Sequence, residues 1–289
     1  MKYLLFVVLL LTNPANNILN KKFQLGFKTD TFHFIQYNFV NAFFGSVIFF
    51  ILSGFNISIN MPTFIYSLIF ASIVALSLCN NILMLSTNSI YVSGVTTSAG
   101  SLIITTFFGI LYFNEPVGTK TFIPLILMFF AALIPYLRHK TALTKRHLLI
   151  CLMSFMLAGW SPVISKFYAL DPNVFDTTSW FFFTNVFIFI VCGIALAFCS
   201  VKFKHFTFDM DFKQASNIFA RTLISNISSL LTVMVLGWMD FLFYTIVSSA
   251  FGKISSFIIS KYYFKEYMPT ETYISLVLAI TAIVVKTLA

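Results

Sequence analysis

Charge is what this sequence has least of. Lys and Arg number 18 and Asp and Glu nine in 289 residues, or 9% charged, where a soluble globular protein carries about a quarter. That scarcity excludes a soluble enzyme or nucleic-acid-binding domain, because too few charges exist to clothe the apolar surface. None of the nine acids falls at the centre of an apolar run, which removes a mid-membrane proton relay and a hydrolytic carboxylate pair. The four cysteines, Cys79, Cys151, Cys192 and Cys199, lie singly in or beside apolar stretches. Without CxxC or Cys/His spacing they read as small buried hydrophobes. The four histidines do not group at ligand spacing, and no P-loop or nucleophile–base pair occurs. No metal, no cofactor, no direct use of ATP and no enzymatic activity are therefore expected.

Hydrophobic residues, by contrast, make up 59% of the chain, and Phe alone occurs 38 times, more often than all charged residues together. Mean hydropathy is +0.92. A membrane-crossing helix needs about 20 apolar residues, and the apolar runs fall at approximately 3–19, 32–54, 64–84, 90–112, 121–137, 148–168, 179–199, 215–236, 241–262 and 269–288. The expected fold class is all-α: a polytopic membrane protein of ten transmembrane helices joined by short loops. The first run resembles a signal peptide, but it has one Lys at its start and a poor cleavage site, so it is kept as the first helix. The net charge of +9 lies mainly in the loops, as membrane topology requires. The lipid bilayer is the expected partner, and nucleic acid is not.

The sequence repeats itself at an offset of 151 residues. FNEPVGTKTFIPLIL, 113–127, lies over FKEYMPTETYISLVL, 264–278, with Glu115 matching Glu266. Upstream, Thr97, Ser101, Thr105 and Gly109 match Ser248, Gly252, Ser256 and Ser260. Four-residue spacing puts these small side chains on one helical face, where they permit close helix packing. Two five-helix units, 1–143 and 144–289, are implied. Because five is odd, the second unit must enter the membrane inverted. Inverted repeats suit alternating access to a site between the halves.

These motifs carry a resemblance. The stretch from Leu102 to Pro135, its counterpart from Phe251 to Val285, the LAGWSPVISK run from Leu157 to Lys166 and the weaker echo from Leu11 to Lys22 are similar to the ten-helix drug/metabolite transporter superfamily, near its EamA-like and sugar-phosphate translocator branches. The resemblance implies helices packed around a central cavity, and a carrier that works by exchange, export or uptake. It also places Lys253 near a basic residue of the sugar-phosphate translocators, although Ile254 stands where those proteins look to carry a second base.

Three bases fall inside the apolar runs: Lys166, Arg221 and Lys253. All three are candidate substrate-binding residues; Lys166 and Arg221 also lie within reach of a helix end and of the interface, which is their alternative reading. Lys253 lies near mid-helix, where an ammonium costs about 2.5–3.5 kcal/mol, so a compensating group is needed. An anionic solute is one candidate, with Arg221 as a second clamp; a bond to backbone carbonyls is another. Asn13, Asn17, Asn81, Trp160 and Tyr244 are further candidates to line a substrate site, each with ordinary interhelical packing as its alternative. Glu115 and Glu266, at the ends of the repeated helix pairs, are expected to cap the helix that follows. Pro14, Pro124, Pro135 and Pro162 fall within helices and free backbone carbonyls there.

Topology pulls two ways. Twelve of the 18 bases fall in odd-numbered loops, which puts those loops in the cytoplasm and both termini outside; the resemblance implies cytoplasmic termini. The function expected is a secondary transporter of a small-molecule substrate, an anionic or zwitterionic metabolite, as monomer or homodimer in a plasma or organelle membrane. A broad exporter of amphiphilic compounds and a non-transporting scaffold or receptor are the alternatives.

Overall fold

In lipid no water satisfies the backbone, so an apolar run must bond its own N–H and C=O groups, which the α-helix does. The computed structural model describes residues 2–26, 31–87, 90–116, 118–137, 145–174, 176–203 and 210–288. Among them it forms ten α-helices: α1 Lys2–Gly26, α2 Thr31–Leu52, α3 Met61–Thr87, α4 Ile90–Leu111, α5 Thr119–Leu137, α6 Lys145–Leu170, α7 Thr177–Phe203, α8 Phe212–Leu236, α9 Phe241–Ile258 and α10 Thr270–Leu288. A π-helical turn, Ile259–Tyr263, continues α9. Seven helices (α1, α2, α4, α6, α7, α8 and α9) contain stretches long and apolar enough to cross a membrane, and α3 and α5 carry shorter apolar stretches, Met61–Ser77 and Thr121–Ile134. The number of helices agrees with the sequence reading, and by length and composition seven of them qualify as spans.

Several helices run past their apolar cores, because backbone hydrogen bonding continues until a turn signal stops it. Of the twelve bases expected in odd-numbered loops, Lys21, Lys22, Lys145, Arg146, Lys202 and Lys213 lie within helices, and Lys261 sits in the π-turn. Lys28, Arg138, Lys140 and Lys204, and the expected boundary between 143 and 144, fall outside the described residues. The α7 start shows how an end is made. Asp176 accepts from Ser179 N at 3.1 Å and from the Thr178 hydroxyl. Burial alone would raise this carboxyl, but those hydrogen bonds outweigh it and hold it below the ordinary carboxylate value.

The side chains are sorted inside out relative to a soluble protein. Leu4, Val191, Ile194 and Phe198 are each more than 60% exposed, whereas Thr105, Ser256, Ser260 and Ser275 are at most 1% exposed. The outer face suits lipid, and the polar interior suits helix-to-helix hydrogen bonding or a cavity.

Packing follows one rule. Renumbering each helix by five maps α1·α8 onto α3·α6, α2·α8 onto α3·α7 and α4·α5 onto α9·α10, while α2·α7, α4·α9 and α5·α10 map onto themselves; all these pairs are in contact. The loops at the offset of 151 match in backbone detail. Phe113 N reaches Phe108 O and Phe264 N reaches Ile259 O, both at 3.0 Å; Glu115 N reaches Gly109 O at 3.0 Å and Glu266 N reaches Ser260 O at 2.9 Å. Asn114 and Lys265 close these turns with φ of 50° and 52°, the left-handed conformation that ends many helices. Lys265 holds it without the local hydrogen bonding that eases Asn into that region.

Candidate functional site

The self-paired helices α4 and α9 flank a cavity of about 370 Å³. Small residues put it there. On α4 the wall is Gly94, Thr97, Ser98 and Ser101; on α9 it is Tyr244, Ser248, Ser249, Gly252 and Ser256. Thr97 and Ser248, and likewise Ser101 and Gly252, are partners at the offset of 151, so each half supplies the same face of its fourth helix. Gly94 gives the close approach: a Cβ there would lie 2.5 Å from Ser256 Oγ and displace that hydroxyl. Of the six residues expected to pack these helices, Ser101, Gly252 and Ser256 line the cavity. Thr105 bonds back to Ser101 O. Gly109 lies under Leu242, whose Cδ2 would be 2.9 Å from an added Cβ. Ser260 accepts from Tyr91 N at 3.1 Å.

Helices α1, α3, α6 and α8 complete the wall. Asn13, Asn16 and Asn17 come from α1 and Asn81 from α3. Pro14 in α1 and Pro162 in α6 both sit inside their helices, and Pro162 lines the cavity beside Ala158. Having no N–H, Pro162 leaves the Ala158 carbonyl without its usual helical donor. From α8 come Ser225, Ser228, Ser229 and Thr232, none of which the sequence reading singled out. Their spacing of three and four residues was the available signal. Thr12 Oγ1 lies 2.9 Å from Ser228 Oγ, and Asn17 Nδ2 donates to Ser256 Oγ at 3.5 Å, tying α1 to α8 and α9.

Four of the eight expected substrate residues, Asn13, Asn17, Asn81 and Tyr244, are thus brought together. The other four are not. Trp160 is 38% exposed on the outer surface, edge-on to Phe108 at 5.1 Å. Lys166 Nζ donates to Leu236 O at 2.8 Å and Met239 O at 3.0 Å, which caps the C-terminal end of α8, where a cation is favoured. Arg221 Nε donates to Asn20 Oδ1 at 3.0 Å and Nη1 to Asn41 Oδ1 at 2.8 Å, and its guanidinium lies 5.8 Å from the Tyr37 ring.

Lys253 is fully buried, and its Nζ donates to Met128 O of α5 at 3.2 Å. It shares a helical face with the buried Ile246 and Ala250, which pack with Leu102, Met128, Ala279 and Ala282. The cavity-lining Gly252 and Ser256 lie on the neighbouring face. Of the two compensators considered for this ammonium, the geometry provides the backbone carbonyl. A charge buried without a counter-charge carries a desolvation cost of several kcal/mol that an apolar side chain of similar volume avoids. Lys253→Met is therefore expected to leave solute selectivity unchanged in exchange assays. Its stability, read from thermal unfolding in detergent, should be equal to the parent's or up to about 2 kcal/mol higher.

Glu115 caps a helix, but not the one expected, and Glu266 reaches a helix start only through Ser260. Glu115 Oε1 accepts from Phe241 N at 2.6 Å and Oε2 from Leu242 N at 2.8 Å, so it caps α9 of the other half rather than the following α5. Glu266 accepts from the Ser260 hydroxyl, the same group that receives Tyr91 N at the start of α4. It also pairs with Lys21 Nζ at 3.5 Å. Where Gly109 leaves Glu115 direct access, Ser260 stands between Glu266 and its helix.

No family model and no curated protein matches the sequence. Among solved structures 28 chains match. One of these, described only as a crystal structure of a protein, has a TM-score of 0.65 at 13% identity, over 97% of this chain and 98% of its own. The overlap runs nearly the length of both chains, so the likeness is one of the whole fold.

Proposed function

We propose that this chain is a secondary carrier for a small organic solute, working by alternating access, and a ten-helix member of the drug/metabolite transporter superfamily. The observation that carries the reading is the polar cavity, walled by equivalent residues of α4 and α9 from the two halves. Two like halves with an odd number of helices each would face the membrane in opposite senses, and a site between them can be opened to either side in turn. The exchange symmetry of the helix packing and the matched loops after α4 and α9 support the same reading.

Among the described residues lining the cavity there is no Phe, which leaves a broad exporter of amphiphilic compounds with little support from this site. The anionic preference rested on Lys253, which bonds Met128 O instead. Counterflow in proteoliposomes, run across a metabolite library of anions, zwitterions and neutral solutes, tests the carrier itself. Exchange of at least one class above protein-free vesicles is expected. Folded, reconstituted protein that exchanges nothing across the library would overturn the reading in favour of a scaffold or receptor.

A further inference from the structure

The cavity wall narrows the chemistry of its occupant, on the premise of the carrier reading above. Among the described residues of that wall, the Tyr244 phenol is the one ionisable side chain, and every other polar group is a hydroxyl or an amide. Three of the hydroxyls have a fixed sense. Thr97, Ser98 and Thr232 donate to Ser93 O at 3.1 Å, Gly94 O at 2.6 Å and Ser228 O at 2.8 Å on their own helices. What remains to these oxygens is their capacity to accept. Asn13, Asn17 and Asn81 bring amide donors to the same space, of which Asn17 commits one to Ser256. Asn16 Oδ1, in the wall between them, is buried with no hydrogen-bond donor. An unpaired buried oxygen costs about 1–3 kcal/mol, and a bound hydroxyl or N–H would remove that cost.

The wall therefore matches a solute whose groups both donate and accept. It does not match an anion. Taking a phosphate or carboxylate from water costs several kcal/mol even after the protein relaxes, and no cation in the described wall offsets it. Lys166, Arg221 and Lys253 are engaged by carbonyls or amides elsewhere. In size, 370 Å³ is the liquid volume of about a dozen waters at about 30 Å³ each, room enough for a single sugar ring. We infer that the cavity takes an uncharged, polyhydroxylated solute of that size, a monosaccharide or polyol, and discriminates against its phosphorylated or carboxylated forms.

The test uses the full chain in proteoliposomes, with D-glucose, sorbitol and myo-inositol as neutral probes and glucose 6-phosphate and gluconate as anionic ones. At least one neutral probe should show counterflow about tenfold above the anionic probes, a ratio that one uncompensated buried charge readily exceeds. Asn16→Leu, which deletes the unpaired oxygen, should weaken binding of that probe about tenfold while the unliganded protein stays at least as stable. Ser248→Arg should lower neutral exchange and raise glucose 6-phosphate binding, read as a shift in the unfolding midpoint.

Anionic probes exchanged as well as or better than neutral ones would overturn this inference and leave the carrier reading in place. So would exchange of another solute class by protein that neither exchanges nor binds the neutral probes. Neutral probes that raise the unfolding midpoint but are never exchanged would keep the assignment of the cavity and overturn the carrier reading. Absence of both binding and exchange of the neutral probes overturns the inference.

Discussion

Glu115→Ala should destabilise the chain by about 2–6 kcal/mol, a loss assembled from two buried donors left without acceptors at about 1–3 kcal/mol each. The carboxylate holds Phe241 N at 2.6 Å and Leu242 N at 2.8 Å. Both residues are at most 2% exposed, so water does not readily replace the lost oxygens. The local alternative is also missing, since Asp240, at the N-cap of α9, makes no side-chain capping bond. Bonds to an ionised acceptor are roughly twice as strong as neutral ones, and the negative charge sits at the positive end of α9. Glu115→Gln keeps one acceptor and loses the charge, so it should fall about midway, near 1–3 kcal/mol. Unfolding midpoints in one detergent for parent, Ala and Gln variants decide the matter. An Ala variant that melts with the parent would show that the α9 start is held by something other than Glu115.

That capping could not be seen in the sequence, though the Glu could. A charged residue at the same point of both repeats marked Glu115 and Glu266 as structural, and a helix end was the natural customer for a carboxylate. Which helix was a question of tertiary packing, and α9 lies 126 residues further along the chain at the Phe241 bond. The repeat itself was legible, because loop chemistry survives where membrane-facing positions accept almost any apolar residue. The small-residue faces of α4 and α9 were legible too, through their four-residue period. The cavity was half legible. Asn13, Asn17, Asn81 and Tyr244 stood out as polar groups in apolar runs, whereas the α8 hydroxyls Ser225, Ser228, Ser229 and Thr232 did not, since Ser and Thr are common in membrane helices. For Lys253 a solute and a backbone carbonyl were both open as compensators, and the sequence did contain a physical reason that favours the carbonyl. Its helical face is that of Ile246 and Ala250, buried in an apolar cluster, and an ammonium there meets a backbone carbonyl before it meets a solute.

Gly100→Ala should cost about 3 kcal/mol or prevent recovery of monodisperse protein, because overpacking against backbone leaves nothing flexible to yield. A Cβ at Gly100 would stand 1.8 Å from Phe155 O, and one at Gly159 would stand 2.5 Å from Ile104 Cβ and 2.8 Å from Gly100 O. Helices α4 and α6 therefore cross backbone to backbone, and α6 would have to move away to admit one methyl group. Gly118→Ala, with nothing within 4 Å of the added atom, should stay within about 0.5 kcal/mol of the parent in the same unfolding assay. The equivalent crossing in the other arrangement is α9 with α1, where Phe251 replaces Gly100 at the offset of 151 and Leu11 replaces Gly159 when Pro14 is set on Pro162. Those helices meet through side chains instead, Phe6 against Tyr244 at 6.0 Å and Asn17 to Ser256 at 3.5 Å. The α4–α6 and α9–α1 crossings thus differ, a methyl group being excluded at the first while the second holds bulky residues at the positions matched in sequence. A Gly100→Ala protein that folds and melts like the Gly118→Ala control would show that α4 and α6 are not locked together, and that the difference between the two crossings is one of sequence alone.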